Sequence, residues 1–448
     1  MRLENSFRDF SGAVIRILIH PGFLTGCLLV WVLTRLILIL VVPVQPTSDA
    51  EWYHVAATTI SQGLGYLKNG EPTAFWPVGY PGFLGFFYWI FGPDVLVGQL
   101  LNLALSIAIF FLLLAISRRI SSNEIVARIA VALLAFYPNY IGYTSLLLSE
   151  TLFTSTLLLA LWVYLRFAGA SAVFFVGFLL GCLALIKAQA LLAIPVLIGF
   201  DVLIVARGRE RLQAMGRGAI ICLLALFAIL PWSYRNSQVF GEFVLNSTNG
   251  GISLLSGNNP SMRADYRTDF RDDDPLVRSL GHPHTNELIV DRRAKELAFD
   301  WISSNPQEFA ILIPHKIWRL WGPDGEAEWS YQRMEDFYGD HMIAFRAIRI
   351  FNQAYYAALI IGALAFPFFV IRGHEVKISR WIWFGYVFAL YTTAISVLFS
   401  GQSRYHFPAM SLLVINAAWT LWYLLSRFSA RRQDKGSSDL TLGLSDER

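Results

Sequence analysis

Ten apolar runs constrain this 448-residue chain more than any other feature. A membrane-spanning helix needs about 20 mainly apolar residues. Runs of this kind lie near 22–42, 96–117, 125–138, 150–168, 172–187, 190–206, 218–233, 350–371, 381–400 and 407–426, the third and fifth being the shortest. Polar residues at 187–189 divide a stretch that is too long for one helix. The pattern predicts an all-α integral membrane protein with about ten transmembrane helices.

Arginine and lysine are concentrated before the first run, in alternate connections, and after the last run. Apart from the long segment after the seventh run, the opposite connections carry only Lys68, Lys187 and Arg404. Loops that remain in the cytoplasm are enriched in lysine and arginine. We therefore predict that both termini are cytoplasmic and that the two largest loops face the outside.

This topology predicts a division of the chain, and polar composition predicts disorder in the tail. The predicted parts are a cytoplasmic N-terminus (1–21), a transmembrane region (22–233) with a catalytic first outer loop (43–95), a long outer loop (234–349), C-terminal transmembrane helices (350–426) and a disordered cytoplasmic tail (427–448). We expect short helices in both outer loops, for example over 286–303. Long surface loops are also where function concentrates.

Composition excludes several classes of protein. The chain is 55% hydrophobic with a net charge of +4, and no basic face stands apart from the loops, so nothing indicates nucleic-acid binding. Cys27, Cys182 and Cys222 lie inside apolar runs and are interpreted as small core residues. No nucleotide-binding glycine loop and no metal-spaced His/Cys cluster is present.

The first outer loop contains an acid at a helix start. Ser48 and Glu51 have the spacing of a capping box, and we expect a helix from there to Gln62, ended by Gly63 and Gly65. Asp49 is then either a first-turn acid favoured by the helix dipole or a general base held just outside the membrane. The residues alone leave both interpretations open.

The segment Pro72–Pro81 is rich in proline and aromatic residues, including Tyr80. Prolines make it rigid and partly extended. Its aromatic residues suit either an interfacial belt or the wall of a pocket for a lipid or a sugar ring.

Three further charges lie at the predicted outer ends of spans. Glu150, after Ser149, is either a first-turn acid or a functional acid, since acids among apolar residues are costly. Lys187 either snorkels to the interface or faces an anionic ligand. Arg404, next to Tyr405, is either an interface anchor or a planar fork of donors for a phosphate.

In chain order, these motifs resemble one family over roughly residues 20–425. The motifs are Asp49, Pro77-Val78-Gly79-Tyr80-Pro81, Ser149-Glu150, Arg235-Asn236, Gly257-Asn258-Asn259-Pro260 and Arg404-Tyr405-His406-Phe407-Pro408. The family is the bacterial GT-C glycosyltransferases related to protein O-mannosyltransferases and lipid A aminoarabinose transferases (glycosyltransferase family 39-like).

The resemblance implies a GT-C fold and a transferase of the EC 2.4 class in the bacterial cytoplasmic membrane. Its donor would be a polyprenyl-phosphate sugar, and its acceptor a lipid, glycan or protein at the periplasmic face. One base and in-line attack imply inversion at the sugar carbon. Asp49 maps to the family's catalytic acid. The substrate contacts implied are Glu150, Lys187, Arg235, Arg404, Tyr405 and Tyr80.

Two details qualify this resemblance. The family often has two adjacent acids in the first loop, whereas Ala50 separates Asp49 from Glu51 here. A divalent metal at Asp49 stays open, but no ligand cluster supports it, and no other cofactor is indicated.

The alternatives are a transporter or lipid flippase of envelope glycolipids, or a non-catalytic envelope partner. Convergence of Asp49, Glu150 and Arg404 on one outer cavity would favour the transferase.

Overall fold

The computed structural model describes residues 2–261, 280, 286–372 and 378–442, and this part of the chain is predominantly helical. The α-helices of its first half are α1 Arg2–Ile19, α2 Phe23–Val41, α3 Asp49–Ser61, α4 Gly79–Phe91, α5 Val95–Ser121, α6 Glu124–Ala135, α7 Pro138–Gly142, α8 Glu150–Arg166, α9 Ala170–Ile186, α10 Ala190–Phe200 and α11 Arg209–Phe240. A π-helical turn, Asp201–Val205, follows α10.

The second half contains shorter helices and then three long ones. They are α12 Gly250–Gly257, α13 Glu287–Ser304, α14 Pro306–Trp321, α15 Glu326–Gln332, α16 Glu335–Asp340, α17 Met342–Arg372, α18 Phe384–Leu398 and α19 Phe407–Leu442. Short 3-10 helices lie at Tyr143–Ser145, Arg380–Trp383 and Ser403–His406. The predicted short helices of the long outer loop correspond to α12–α16.

A helix lies on each of the ten predicted apolar runs. Among the described residues, six helices are long and apolar enough to cross a membrane, and α6 with the bent segment after it would make a seventh. Helices α8, α9 and α10 have 17, 17 and 11 residues. The all-α membrane class is therefore confirmed with six to seven candidate spans, while the exact number of ten stays a prediction.

The apolar helices pack closely where small residues allow it. On α9, Gly177 and Gly181 have the small-xxx-small spacing that lets helices approach within a membrane. A Cβ at Gly181 would lie 2.6 Å from the Ala225 carbonyl oxygen of α11, so only glycine fits there. Elsewhere in the core, the buried Trp31 indole N–H donates to the Ser106 hydroxyl at 2.7 Å.

The predicted first outer loop folds back onto the bundle. Helix α3 ends at Ser61, one residue before the predicted end at Gln62, and Gly63 has a φ of 75°. Strands β1 Leu67–Lys68 and β2 Glu71–Pro72 form a small antiparallel hairpin. The predicted extended segment is shorter than expected, because α4 begins at Gly79. A Cβ at Gly79 would meet the Ile186 backbone at 2.6 Å, so the loop lies against the end of α9.

The long outer loop also docks on the bundle. Helix α13, capped by the Asn286 side chain, matches the helix predicted over 286–303. Its fully buried Ala294 and Ala298 form a small core with α12. At the end of α12, a Cβ on Gly257 would lie 1.6 Å from the Phe399 carbonyl oxygen. This backbone contact brings the loop close to Arg404.

The last helix reaches Leu442 and therefore overlaps the tail predicted to be disordered from 427. Residues 443–448 lie outside the described residues, and the disorder of the tail stays a prediction, as does the division of the chain into parts.

Candidate active site

Asp49 begins α3 and forms an ion pair with Arg404. Its Oδ2 lies 2.6 Å from Arg404 Nη1, and the side chains are 14% and 16% exposed, respectively. The preceding Ser48 has a φ of 55° and makes no capping hydrogen bond, so the predicted capping box is wrong. A non-glycine residue with positive φ is strained, and such strain concentrates at functional sites.

Arg404 and Tyr405 lie on the 3-10 helix that precedes α19. Arg404 Nε donates to Gln402 Oε1 at 2.7 Å while Nη1 faces Asp49, so two sides of the guanidinium are held. The Tyr405 ring lies near two cations, with its centroid 5.5 Å from Arg404 Cζ and 5.8 Å from Lys187 Nζ. The Tyr405 ring therefore lies within cation–π distance of both Arg404 and Lys187.

Glu150 and Lys187 form a second ion pair. Glu150 begins α8 and Lys187 directly follows α9, and the Oε1–Nζ distance is 2.7 Å. The Glu150 side chain is 2% exposed and that of Lys187 15% exposed. Ser149 makes no capping hydrogen bond to α8. The lysine therefore neutralises a buried acid.

Both ion pairs line one cavity of about 360 Å³, here called the first cavity. Five of the seven predicted site residues meet there: Asp49, Glu150, Lys187, Arg404 and Tyr405. An apolar part of its wall comes from Leu191, Leu192 and Ile395. The cavity thus combines charged groups with a surface that suits hydrocarbon.

Tyr53 is a member of this cavity that sequence reasoning missed. It lies four residues after Asp49, on the same face of α3, and this spacing was a signal that could have found it. Burial raises the pKa of its hydroxyl, and the carboxylates of Asp49 and Glu150 raise it further. Tyr53 therefore stays protonated and can donate a hydrogen bond.

Tyr80 and Arg235 lie outside the first cavity. Tyr80 is 2% exposed and packs edge-on against Tyr53 at 5.2 Å, one layer behind the cavity wall. Arg235 donates to the Thr73 carbonyl at 2.7 Å and the Tyr66 carbonyl at 3.1 Å. These contacts hold the first outer loop in place, and direct substrate contact by either residue stays a prediction.

A second, larger cavity of about 870 Å³ also borders the Asp49–Arg404 pair. Both residues of the pair line it, so the pair stands at the boundary of the two cavities. The wall of the second cavity is more polar than that of the first and includes His315, Arg319 and Gln353. An acid at such a boundary can face two different molecules.

A buried polar cluster beside the second cavity was also missed. Asp324 accepts hydrogen bonds from the Tyr137 hydroxyl and the Asn139 amide, each at 2.6 Å. His406 Nε2 lies 3.3 Å from Asp324 Oδ1, and the imidazole is stacked between the Trp321 and Tyr356 rings. This cluster fixes the 3-10 helix that carries Arg404. No local pattern joins residues this distant in the chain.

The described part of the chain contains no cluster of side chains that marks a metal site. Among the described residues, no three His, Cys, Asp or Glu side chains come together as ligands. One Asp49 oxygen faces the Arg404 guanidinium, and Glu51 is exposed. The acid is therefore held by a cation from the protein itself.

Comparison with known proteins places this site in context. A family model described as dolichyl-phosphate-mannose-protein mannosyltransferase matches residues 76–234, which are 159 of the 448 residues. A comparison with curated proteins gave no match.

Two solved structures of oligosaccharyltransferase from Archaeoglobus fulgidus resemble the chain. One is AglB in complex with an inhibitory peptide and a dolichol-phosphate. Its match has a TM-score of 0.52 and 11% sequence identity, and covers 93% of this chain and 52% of that chain. The other is a complex with Zn and sulfate, whose match has a TM-score of 0.52 and 14% sequence identity, and covers 90% of this chain and 50% of that chain. The chain thus spans about half the length of these proteins, and the similarity is one of fold. The chain therefore has a multi-helix membrane fold similar to that of these oligosaccharyltransferases, and residues 76–234 are similar to the mannosyltransferase family model.

Proposed function

We propose that the protein transfers a sugar from a polyprenyl-phosphate donor to an acceptor at the periplasmic face of a bacterial cytoplasmic membrane, with both termini in the cytoplasm. One observation carries this proposal. The Asp49–Arg404 pair stands at the boundary between a cavity with an apolar wall and a larger polar cavity. A lipid-linked donor and a second substrate can therefore reach the pair through two different cavities.

The donor suits the first cavity. Its lipid chain would lie along Leu191, Leu192 and Ile395, and its phosphate would meet Arg404, with Lys187 nearby. Guanidinium groups bind phosphate in a bidentate fashion. The departing lipid phosphate gains negative charge, which these cations stabilise in a site partly shielded from water.

Asp49 is the proposed general base. An acceptor hydroxyl or amine that enters through the second cavity would pass its proton to the Asp49 carboxylate while attacking the sugar carbon. The attack comes from the side opposite to the leaving phosphate, so the configuration at that carbon inverts. The bound dolichol-phosphate and peptide of the solved AglB complex suit a lipid-linked donor and a separate acceptor in general kind.

A transporter or flippase suits the geometry less well. Four of the five predicted charges, Asp49, Glu150, Lys187 and Arg404, form two ion pairs and meet at one cavity. They do not follow a path across the bundle, and this convergence supports the transferase over that alternative.

The decisive variant is Asp49→Asn, which keeps the size of the side chain and removes its charge. We expect transfer from polyprenyl-phosphate sugars to fall about 10²–10⁴-fold with donor binding largely kept. Mass spectrometry of envelope lipids and glycans from a deletion strain would identify the natural sugar and acceptor for this assay. Thermal unfolding must accompany the assay, because Asp49 is largely buried and paired.

The matched control is Glu51→Gln, which neutralises an exposed acid in the same first turn. It should leave transfer nearly unchanged. Near-normal turnover by a well-folded Asp49→Asn protein would rule out the base role.

A further inference from the structure

We propose that the acceptor is amphiphilic, with its polar part in the second cavity and its hydrocarbon chain in an adjoining apolar cavity. This inference rests on the proposed function and names the chemical class of its acceptor. The adjoining space, called the third cavity, has a volume of about 350 Å³.

The third cavity has a mainly apolar wall, which suits a hydrocarbon chain. Its wall includes Phe136 and Ile141 from the α6–α7 region and Phe345, Ile348 and Phe351 from α17. Pockets lined by aliphatic and aromatic side chains bind apolar parts of ligands. An alkyl or isoprenoid chain therefore suits this space, whereas a free sugar or a polar peptide does not.

The third cavity continues into the second. The two share four lining residues, Asp324, Gly325, Glu328 and Arg349. The third shares no lining residue with the first cavity among the described residues. A molecule whose chain occupies the third cavity thus has its polar part in the second cavity, which borders Asp49 and is distinct from the cavity of the proposed donor.

Polarity changes at the shared wall. Arg349 pairs with Glu328, which also accepts a hydrogen bond from the Tyr338 hydroxyl at 2.6 Å. The hydrogen bonds from Arg349 and Tyr338 outweigh the effect of burial and lower the pKa of Glu328, so it stays ionised. This charged pair lies where the polar head of a bound amphiphile would meet its hydrocarbon chain.

The apolar wall also continues onto the surface of a spanning helix. Ile348 and Phe351 are 54% and 55% exposed, and Ile350 on the same helix is 71% exposed. Exposed apolar side chains grouped in this way mark contact with lipid or with a partner. Because α17 is a candidate span, a lipid chain can enter the third cavity from the bilayer without crossing water.

The test compares two acceptor probes. Host membranes are divided into a chloroform–methanol lipid extract and a delipidated residue of protein and glycans. The full-length protein receives each of them together with polyprenyl-phosphate donors that carry a labelled sugar. Only the lipid extract should take up label in a product distinct from the donor. Uptake by the delipidated residue alone would overturn the inference and leave the proposed transferase intact. Absence of transfer to either probe would refute the transferase itself.

A pair of variants ties the result to the third cavity. Ile348→Gln places an amide against the proposed chain, and Ile343→Gln makes the same change at an exposed position outside the lining. Ile348→Gln should raise the KM for the lipid extract about tenfold. The KM for the donor should stay unchanged, and Ile343→Gln should resemble the parent protein.

Two results would contradict this assignment. A raised donor KM in Ile348→Gln would show that the third cavity holds the donor chain instead. Equal effects of the two variants, or none, would show that the third cavity holds no substrate.

Discussion

Neutralising one member of the Glu150–Lys187 ion pair should cost more stability than neutralising both. The charged atoms are 2.7 Å apart, with Glu150 2% and Lys187 15% exposed. Removing one partner of a buried pair leaves the other as an uncompensated charge, which costs about 3–5 kcal/mol. We expect Lys187→Met to cost more than Glu150→Gln, because the stranded carboxylate is the more buried group.

The double variant Glu150→Gln/Lys187→Met should recover most of this loss. Replacing both members of a buried pair is often close to neutral, because the cost of removing the charges from water is avoided as well. The free energy of unfolding of the double variant should lie within about 1–2 kcal/mol of the parent, so the singles and the double should show a coupling of several kcal/mol.

The measurement is denaturant unfolding of the purified protein in detergent, followed by tryptophan fluorescence. The exposed pair Arg292–Glu242, also 2.7 Å apart but 60% and 59% exposed, provides the control and should show coupling below about 1 kcal/mol. Losses at Glu150 and Lys187 that merely add in the double variant would refute the reasoning.

The same double variant separates folding from function. A stable double variant that no longer uses the donor would assign the Lys187 charge to substrate binding. One that retains activity would make this ion pair structural.

Three further predictions concern other charges. Arg404→Ala should weaken donor use strongly and Arg404→Lys should rescue only part of it, measured as the donor dependence of transfer; a lysine variant equal to the parent would remove the bidentate phosphate role. Burial lowers the pKa of Lys316 to about 8. Between pH 8 and about 10.5, the unfolded chain therefore holds a proton that the folded chain has lost. Over this pH range, the free energy of unfolding should rise by at most about 3 kcal/mol. Lys316→Met should abolish this rise in unfolding experiments, and an unchanged pH dependence would contradict the assignment. Cysteine labelling in intact cells should place Asp300 outside and Arg209 inside; both on one side would refute the topology.

Sequence patterns predicted the fold well where the information is local. Apolar runs located a helix at each of ten positions, because hydrophobicity and helical geometry act over about 20 residues. The end of α3 followed from Gly63, whose backbone adopts a positive φ. The number of spans was less secure, since α8–α10 are short for a membrane and local composition does not set their depth.

The candidate site could be predicted only in part. Position at the outer ends of spans was enough to select Asp49, Glu150, Lys187 and Arg404, which meet at one cavity. Their pairing was not predictable, because 355 residues separate Asp49 from Arg404 and tertiary packing alone brings them together. The capping box at Ser48 failed because that residue has a φ of 55°, outside capping geometry.

The Asp49–Arg404 pair also bears on the kinetic order of the reaction. One Asp49 oxygen accepts a hydrogen bond from the Arg404 guanidinium, so the orientation of the carboxylate depends on the position of that cation. On the proposed function, a bound phosphate competes for the same guanidinium. An acceptor that arrives first would meet a carboxylate turned toward Arg404, whereas one that arrives after the donor would meet a carboxylate released from that contact. The pair therefore favours an ordered sequential mechanism in which the donor binds first.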